Sequence, residues 1–258
     1  MSKHAHIIER LVAAAHHTKA TTPFTDEVPD MTSAEAYDVQ DAVVAARVDR
    51  GHAIVGAKLG LTSKAKQQQM KVDSPLYGYL TADMQIDTGE KLVCSQFIQP
   101  RVEPEIAFLL KSDLEGAHVT AAHVLAATAA VFPAIDVLDS RFAGYKFTHT
   151  DVVADNCSSA AFTLGGSAID PAGIDLRLVG MSLEKNGQLM YTAAGASVHG
   201  HPAAAVAWLV RQLAARGRGL TAGHIVLSGG MTEAVTVSPG DTIVARFDRL
   251  GTVEIPCV

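Results

Sequence analysis

Arg101-Val102-Glu103-Pro104-Glu105-Ile106-Ala107-Phe108-Leu109-Leu110 is the stretch on which the fold turns. Side chains of a strand alternate between two faces. One face here is Val102, Pro104, Ile106, Phe108 and Leu110; the other is Arg101, Glu103, Glu105, Ala107 and Leu109. Alternation of this kind commonly marks a half-buried strand with a solvated side. The glutamate face, however, runs on into Ala107 and Leu109, so neither face is polar throughout. A second carboxylate has a similar setting. In Phe132-Pro133-Ala134-Ile135-Asp136-Val137-Leu138-Asp139, Asp136 shares its face with Phe132, Ala134 and Leu138. A lone buried carboxylate costs several kcal/mol or shifts its pKa instead. Three inward carboxylates repel unless a cation lies among them. A hard divalent ion with oxygen ligands, Mg²⁺ or Mn²⁺, satisfies such a set. Ion pairs with Arg101 or Arg141 satisfy it as well, and the pattern alone leaves both open.

Working outward, 258 residues with 48% hydrophobic and 19% charged content suit one large domain, or one domain with an appended segment. A net charge of −6 without a basic run argues against a nucleic-acid partner. No apolar stretch is long enough to span a membrane, and no secretory leader is expected. The cysteines, Cys94, Cys157 and Cys257, are odd in number and lack metal-type spacing, which suits a reducing, cytoplasmic setting. His16-His17 and His199-Gly200-His201 lack zinc-site spacing and read as surface or structural histidines.

Toward the N-terminus, residues 3–19 read as an amphipathic helix carrying Ile7, Ile8, Leu11 and Val12. Thr32-Ser33-Ala34-Glu35 is a capping box opening a second helix that ends before Gly51. Residues 53–61 read as a strand bearing Lys58, 64–70 as a helix, and 73–78 as a turn. Beyond them strands dominate, with candidates at 91–98 and 101–110. A helix over 120–131 is followed by the Asp136 strand. Residues 151–159 read as a polar loop before a strand at 160–164. Asn186-Gly187 is a hairpin turn between strands at 176–184 and 188–193. Pro202 opens a helix, and strands at 224–228, 233–237, 242–247 and 252–257 close the chain. Helices and strands do not alternate regularly, so an α+β fold with a rolled mixed sheet is expected, together with an N-terminal helical segment. The boundaries are 1–75 for the helical segment with the Lys58 strand and 76–258 for a β-rich catalytic domain.

Several motifs agree as a set. They are Gly56-Ala57-Lys58-Leu59-Gly60-Leu61-Thr62-Ser63-Lys64-Ala65, Pro75-Leu76-Tyr77-Gly78, Pro100-Arg101-Val102-Glu103-Pro104-Glu105 and Pro133-Ala134-Ile135-Asp136-Val137-Leu138-Asp139-Ser140-Arg141. Val153-Ala154-Asp155-Asn156, Gly200-His201-Pro202 and Ser228-Gly229-Gly230 continue them. From about Met31 onward the chain resembles the 2-keto-4-pentenoate hydratase and 4-oxalocrotonate decarboxylase family, within the fumarylacetoacetase-like superfamily. The resemblance implies a divalent metal, Mg²⁺ or Mn²⁺, on Glu103, Glu105 and Asp136. The family usually has glutamate at the third position. The shorter aspartate implies a longer reach to the ion or a bridging water. The resemblance also makes Lys58 the ionisable active-site residue and Ser158 a substrate contact. A plain strand lysine and a loop serine bonded to its own backbone are the ordinary alternatives. The apolar neighbours Val55, Ala57, Leu59 and Leu61 favour a partly buried amine.

Hydratases of that family tend to carry aspartate where this chain has Leu76, which favours the decarboxylase branch. The expected activity is therefore metal-dependent decarboxylation of a small-molecule dicarboxylate, 4-oxalocrotonate, to 2-hydroxypenta-2,4-dienoate and CO₂. Backbone N–H groups opening the helix after Thr62 are expected to hold a substrate carboxylate. That brings Gly60, Leu61, Thr62 and Ser63 into the binding set with Leu76 and Ser158. The rivals are hydration of the same dienoate and a non-catalytic partner subunit. A homo-oligomer, and a complex with the pathway hydratase, are also expected from the resemblance.

Overall fold

The computed structural model describes residues 4–64, 67–68 and 72–258. The helix expected over 64–70 falls mainly on residues outside that set. Two sheets form the core. The larger has the strand order β2-β1-β8-β3-β4-β5, with β9 paired to β3. Its strands are β1 (Ile54–Gly60), β2 (Leu76–Thr81), β3 (Arg101–Leu110), β4 (Thr128–Leu138), β5 (Ser159–Leu164), β8 (Ile225–Leu227) and β9 (Val235–Thr236). The smaller runs β11-β10-β6-β7, from β6 (Gly180–Lys185), β7 (Gln188–Ala194), β10 (Thr242–Phe247) and β11 (Gly251–Pro256), and packs on β4. β1 is parallel to β8 and the other pairings are antiparallel, so the sheet is mixed, as expected.

β3 spans the run read from the sequence and is buried on both faces almost throughout. Its C-terminal part, Ala107 to Leu109, lies between β8 and β4, which explains why the glutamate face runs on into apolar residues. Helices α1 (Ala5–His16) and α2 (Ser33–Val48) stack on one another, and α2 packs on a short helix, α4 (His149–Ala154). The Thr32 capping box forms: its hydroxyl accepts from the Glu35 N–H at 3.2 Å, while Glu35 accepts from the Thr32 N–H at 3.0 Å. Ile7, Leu11, Phe24, Leu76, Phe142 and Val153 join in a second hydrophobic cluster that ties this helical layer to the sheet. Each such side chain contributes about 1.5–3 kcal/mol by leaving water. Between β3 and β4 lies α3 (Ala121–Ala127), which packs against the buried helix α5 (Pro202–Ala215).

Several local readings change; the strand expected at 176–184 begins only at Gly180, and that at 233–237 shrinks to Val235–Thr236. Residues 73–78 are not all turn, because Leu76 already begins β2, every residue of which is buried. The strand expected at 91–98 is reduced to a bridge between Leu92 and Cys257, followed by a 3₁₀ turn at Cys94–Gln96. The helix over 120–131 stops at Ala127, where β-branched Thr128 enters β4 and returns its hydroxyl to the Val124 carbonyl at 2.7 Å. The stretch 151–159, expected as a polar loop, instead completes α4 to Ala154, makes a 3₁₀ turn at Asn156–Ser158 and enters β5 at Ser159. Asp151, Asp155 and Asn156 are buried, with their polar atoms bonded inward.

Candidate active site

The antiparallel register sets Glu103 of β3 directly opposite Asp136 of β4, and Glu105 one pleat further, opposite Ala134. Opposed residues share a face of the sheet. One carboxylate oxygen from each of Glu103, Glu105 and Asp136 lies within 4.8 Å of the others. Glu105 and Asp136 are fully buried and Glu103 is 9% exposed. The Lys58 Nζ stands 3.0 Å from Asp136 Oδ2. β1 brings it there by pairing with β2 on one side and β8 on the other.

The charges of this cluster act strongly on one another. Burial pushes the Lys58 ammonium toward a lower pKa. Asp136, Cys157, Glu105 and Glu103 together outweigh it, so its pKa lies above the ordinary 10.5 and the group stays charged. Glu105 is pushed well above the usual carboxylate range, first by burial and then by Asp136 and Glu103. Lys58 and the backbone N–H of Gly229, which donates to Glu105 Oε2 at 2.6 Å, pull the other way. The other Glu105 oxygen is buried without a hydrogen-bond partner. A buried donor set made only of carboxylate oxygens fits a hard divalent cation. Gly229 must be glycine. Its φ of +114° lies in the left-handed region, and a Cβ would stand 2.4 Å from Thr62 Oγ1.

Beside the cluster opens a cavity of about 150 Å³ lined by Lys58, Gly60, Leu61, Leu76, Glu103 and Ser158, all singled out in the sequence. Thr62 and Ser63 do not line it. Thr62 is buried under Gly229, with a hydroxyl that has no partner. Ser158 reaches the cavity on an unusual turn: Asn156, Cys157 and Ser158 have φ of +48°, +54° and +55° in succession. Such left-handed residues cost about 1–2 kcal/mol each. The turn is held by Asn156, whose amide accepts from the Tyr79 N–H at 2.7 Å and donates to the Tyr79 carbonyl at 2.9 Å. Cys157 Sγ donates to the Tyr77 carbonyl at 2.7 Å. Gly78 lets the turn approach, since a Cβ there would meet the Asn156 carbonyl oxygen at 2.5 Å. The Ser158 hydroxyl is buried and has no partner, which leaves it available to a molecule in the cavity.

Residues 47–258 match the family model for the fumarylacetoacetate hydrolase C-terminal region. The chain belongs to the fumarylacetoacetate hydrolase family. It is 44% identical to a 4-oxalocrotonate decarboxylase of Pseudomonas sp. strain CF600, over 89% of this chain and 87% of that protein. It is 39% identical to a 2-hydroxyhexa-2,4-dienoate hydratase of Comamonas testosteroni, over 96% of this chain and 94% of that protein. The 4-oxalocrotonate decarboxylase of Pseudomonas putida G7, complexed with magnesium and adipate, superposes with a TM-score of 0.92 at 40% identity, covering 97% of this chain and 98% of that one.

In this member of the fumarylacetoacetate hydrolase family, sequence reasoning missed part of the cavity wall. Tyr145, Phe147, Val152, Cys157 and Ala234 also line it. Tyr145 and Phe147 lie in the 139–147 connection, which had no periodic signal. Their placement depends on Asp139, whose carboxylate accepts from the Ile98 and Gln99 N–H groups at 2.9 and 2.7 Å. The Gln99 side chain in turn binds the Ser140 and Phe142 carbonyls. Arg141 was read as a possible partner of the acidic cluster. It is instead paired with Asp155 through Nε and donates to the Ser159 carbonyl at 3.1 Å. The Asp139-Ser140-Arg141 motif therefore fastens the loops around the cavity.

Proposed function

We propose that this chain is a divalent-metal-dependent lyase that converts 4-oxalocrotonate to 2-hydroxypenta-2,4-dienoate and CO₂. The observation carrying this reading is the buried set Glu103, Glu105 and Asp136, neutralised in part by Lys58 and opening onto an otherwise mainly apolar cavity. Glu103, Glu105 and Asp136 would hold Mg²⁺ or Mn²⁺. When bound, that ion supplies Lewis-acid polarisation of the substrate's C2 oxygen.

The rest falls to the chain's own side chains. The C5–C6 bond breaks, C6 leaves as CO₂, and its electron pair passes through the C3–C4 double bond toward the C2 oxygen. Lys58, charged and at the cavity wall, stabilises that developing negative charge and keeps a proton within reach of it. The Ser158 hydroxyl donates to a substrate oxygen. Gly60 and Leu61 shape the wall beside Lys58. Leu76, Phe147 and Val152 exclude water, which strengthens these charge interactions and disfavours addition of water to the product diene.

Relatives named as hydratases, at 39 and 40% identity, support a second reading in which the same site hydrates 2-hydroxypenta-2,4-dienoate. Leu76 argues for decarboxylation, because it puts an apolar side chain in the cavity where an acid would serve water chemistry. Purified protein with Mg²⁺ should release CO₂ from 4-oxalocrotonate and stop when a chelator is added. Consumption of the dienoate without CO₂ release from 4-oxalocrotonate would establish the hydratase reading instead. We further propose a homo-oligomer, a complex with the pathway hydratase and a cytoplasmic setting. The free, buried cysteines support the last of these. Thr62 and Ser63 would act from behind the wall, through backbone groups.

A further inference from the structure

Among the described residues that line the cavity, Arg101 is the charge without an assigned role. It begins β3, two residues before Glu103 and therefore on the same face, about 6.6 Å further along the strand. It lines the same cavity as Lys58 and Ser158. Lys58 is already committed to Asp136. Among the described residues, no carboxylate lies within ion-pair distance of Arg101. Its guanidinium is held by stacking instead, with Cζ 3.9 Å from the centre of the Tyr145 ring. Tyr145 is fixed in turn, because its hydroxyl donates at 3.0 Å to the carbonyl of Leu138, the residue facing Arg101 across the β3–β4 ladder. An aromatic face under a guanidinium leaves the N–H edge free and aligned. That edge matches a carboxylate, which it can bind through two parallel hydrogen bonds.

We propose that Arg101 receives the distal carboxylate of the substrate and sets a preference for dicarboxylates over monocarboxylates. This rests on the reading of the acidic cluster as the end that takes the 2-oxo acid. The spacing then suits the ligand, since one strand repeat separates Arg101 from Glu103, comparable with the length of an extended six-carbon diacid. The apolar wall of Leu138, Phe147 and Ala234 beside Arg101 offers that carboxylate no competing polar partner. Arg101 also fixes the orientation of the C5–C6 bond against the conjugated system, so it acts on turnover as well as on binding.

Binding and turnover test this separately. Calorimetry with Mg²⁺-loaded protein compares adipate with hexanoate, its monocarboxylate counterpart, for the wild type, Arg101→Met and Arg101→Lys. Arg101→Met should weaken adipate by about tenfold or more, the scale of a lost charge-assisted hydrogen-bond pair, and change hexanoate by less than about twofold. Arg101→Lys should recover part of the loss and keep the fold should the methionine variant prove unstable. Added guanidinium should partly restore CO₂ release to Arg101→Ala. Equal weakening of both ligands, or an unchanged adipate preference in folded variants, would overturn the proposal. A wild type that prefers adipate through Arg101 yet releases no CO₂ would instead overturn the decarboxylase reading and leave the role of Arg101 standing.

Discussion

Lys58 and Glu105 sit within one buried cluster, yet their removal should have opposite signatures. Glu105→Gln keeps an oxygen to accept from the Gly229 N–H but removes a negative charge. Mg²⁺ binding and turnover should both be lost while circular dichroism stays unchanged. Lys58→Met keeps the stem and removes the ammonium, which is no metal ligand. Turnover should fall on the order of a hundredfold or more, while calorimetry should find Mg²⁺ binding no weaker. Near-normal turnover in a folded, metal-loaded Lys58→Met protein would put Lys58 outside the chemistry. Without metal, this variant should also be less stable. Breaking a buried pair typically costs about 3–5 kcal/mol, and here the ammonium 3.0 Å from Asp136 would be removed. The raised pKa of Lys58 sets the pH window for that difference. Its stabilisation is complete below the ordinary 10.5 and disappears only as pH rises through the higher folded value, so the gap between wild type and variant should persist across neutral pH. At Leu76, buried in the cavity wall, Leu76→Asp should raise hydration of 2-hydroxypenta-2,4-dienoate relative to decarboxylation. A product ratio no different from wild type would remove the argument from that residue.

Among elements, β3 and the 156–158 turn mark the extremes of what can be read from a sequence. β3 is a continuous run whose period of two announces itself, and its two glutamates point where the pattern says. The capping box at Thr32 and the Asn186-Gly187 hairpin are equally local, and both form. The 151–159 stretch misleads because its aspartates and asparagine look solvated. Their partners lie far away in sequence: Phe24 and Thr25 for Asp151, Arg141 for Asp155, and Tyr79 for Asn156. No local pattern encodes those contacts, nor the left-handed backbone they sustain. Asn156→Ala should show what that turn contributes. It removes two buried hydrogen bonds and puts alanine in a conformation asparagine tolerates better. Denaturant unfolding should find a loss of about 2 kcal/mol or more. Activity at saturating Mg²⁺ should fall as well, because Ser158 loses its fixed position. An active, fully stable variant would mean that the turn is not held by Asn156.

Across the whole molecule, the acidic cluster and the cavity beside it are assembled from segments remote in sequence: Lys58 on β1, the acids on β3 and β4, Ser158 after α4 and, behind Glu105, Gly229 after β8. Glu103, Glu105 and Asp136 were legible because each shares its strand face with apolar residues, Ala107 and Leu109 for the glutamates and Phe132, Ala134 and Leu138 for Asp136. That they meet was not, since strand order and register arise only when the sheet forms. The assembled site gathers three carboxylates in the core around Lys58. Folding buries Glu105 where burial, Asp136 and Glu103 all disfavour its ionised form. A cation that binds the native cluster but not the unfolded chain stabilises the fold by mass action, by about 2.7 kcal/mol at a hundredfold excess over its Kd. For a domain of this size that corresponds to a rise in Tm of several degrees. Thermal unfolding should show that rise on titrating Mg²⁺ into chelator-treated protein and its reversal with excess chelator. Glu105→Gln should respond to neither addition. It should also start with a higher metal-free Tm than the wild type, because a buried carboxyl whose ionisation the fold disfavours is gone. A metal-free wild type as stable as the loaded protein, or a Glu105→Gln variant that still gains stability from Mg²⁺, would place the cation elsewhere.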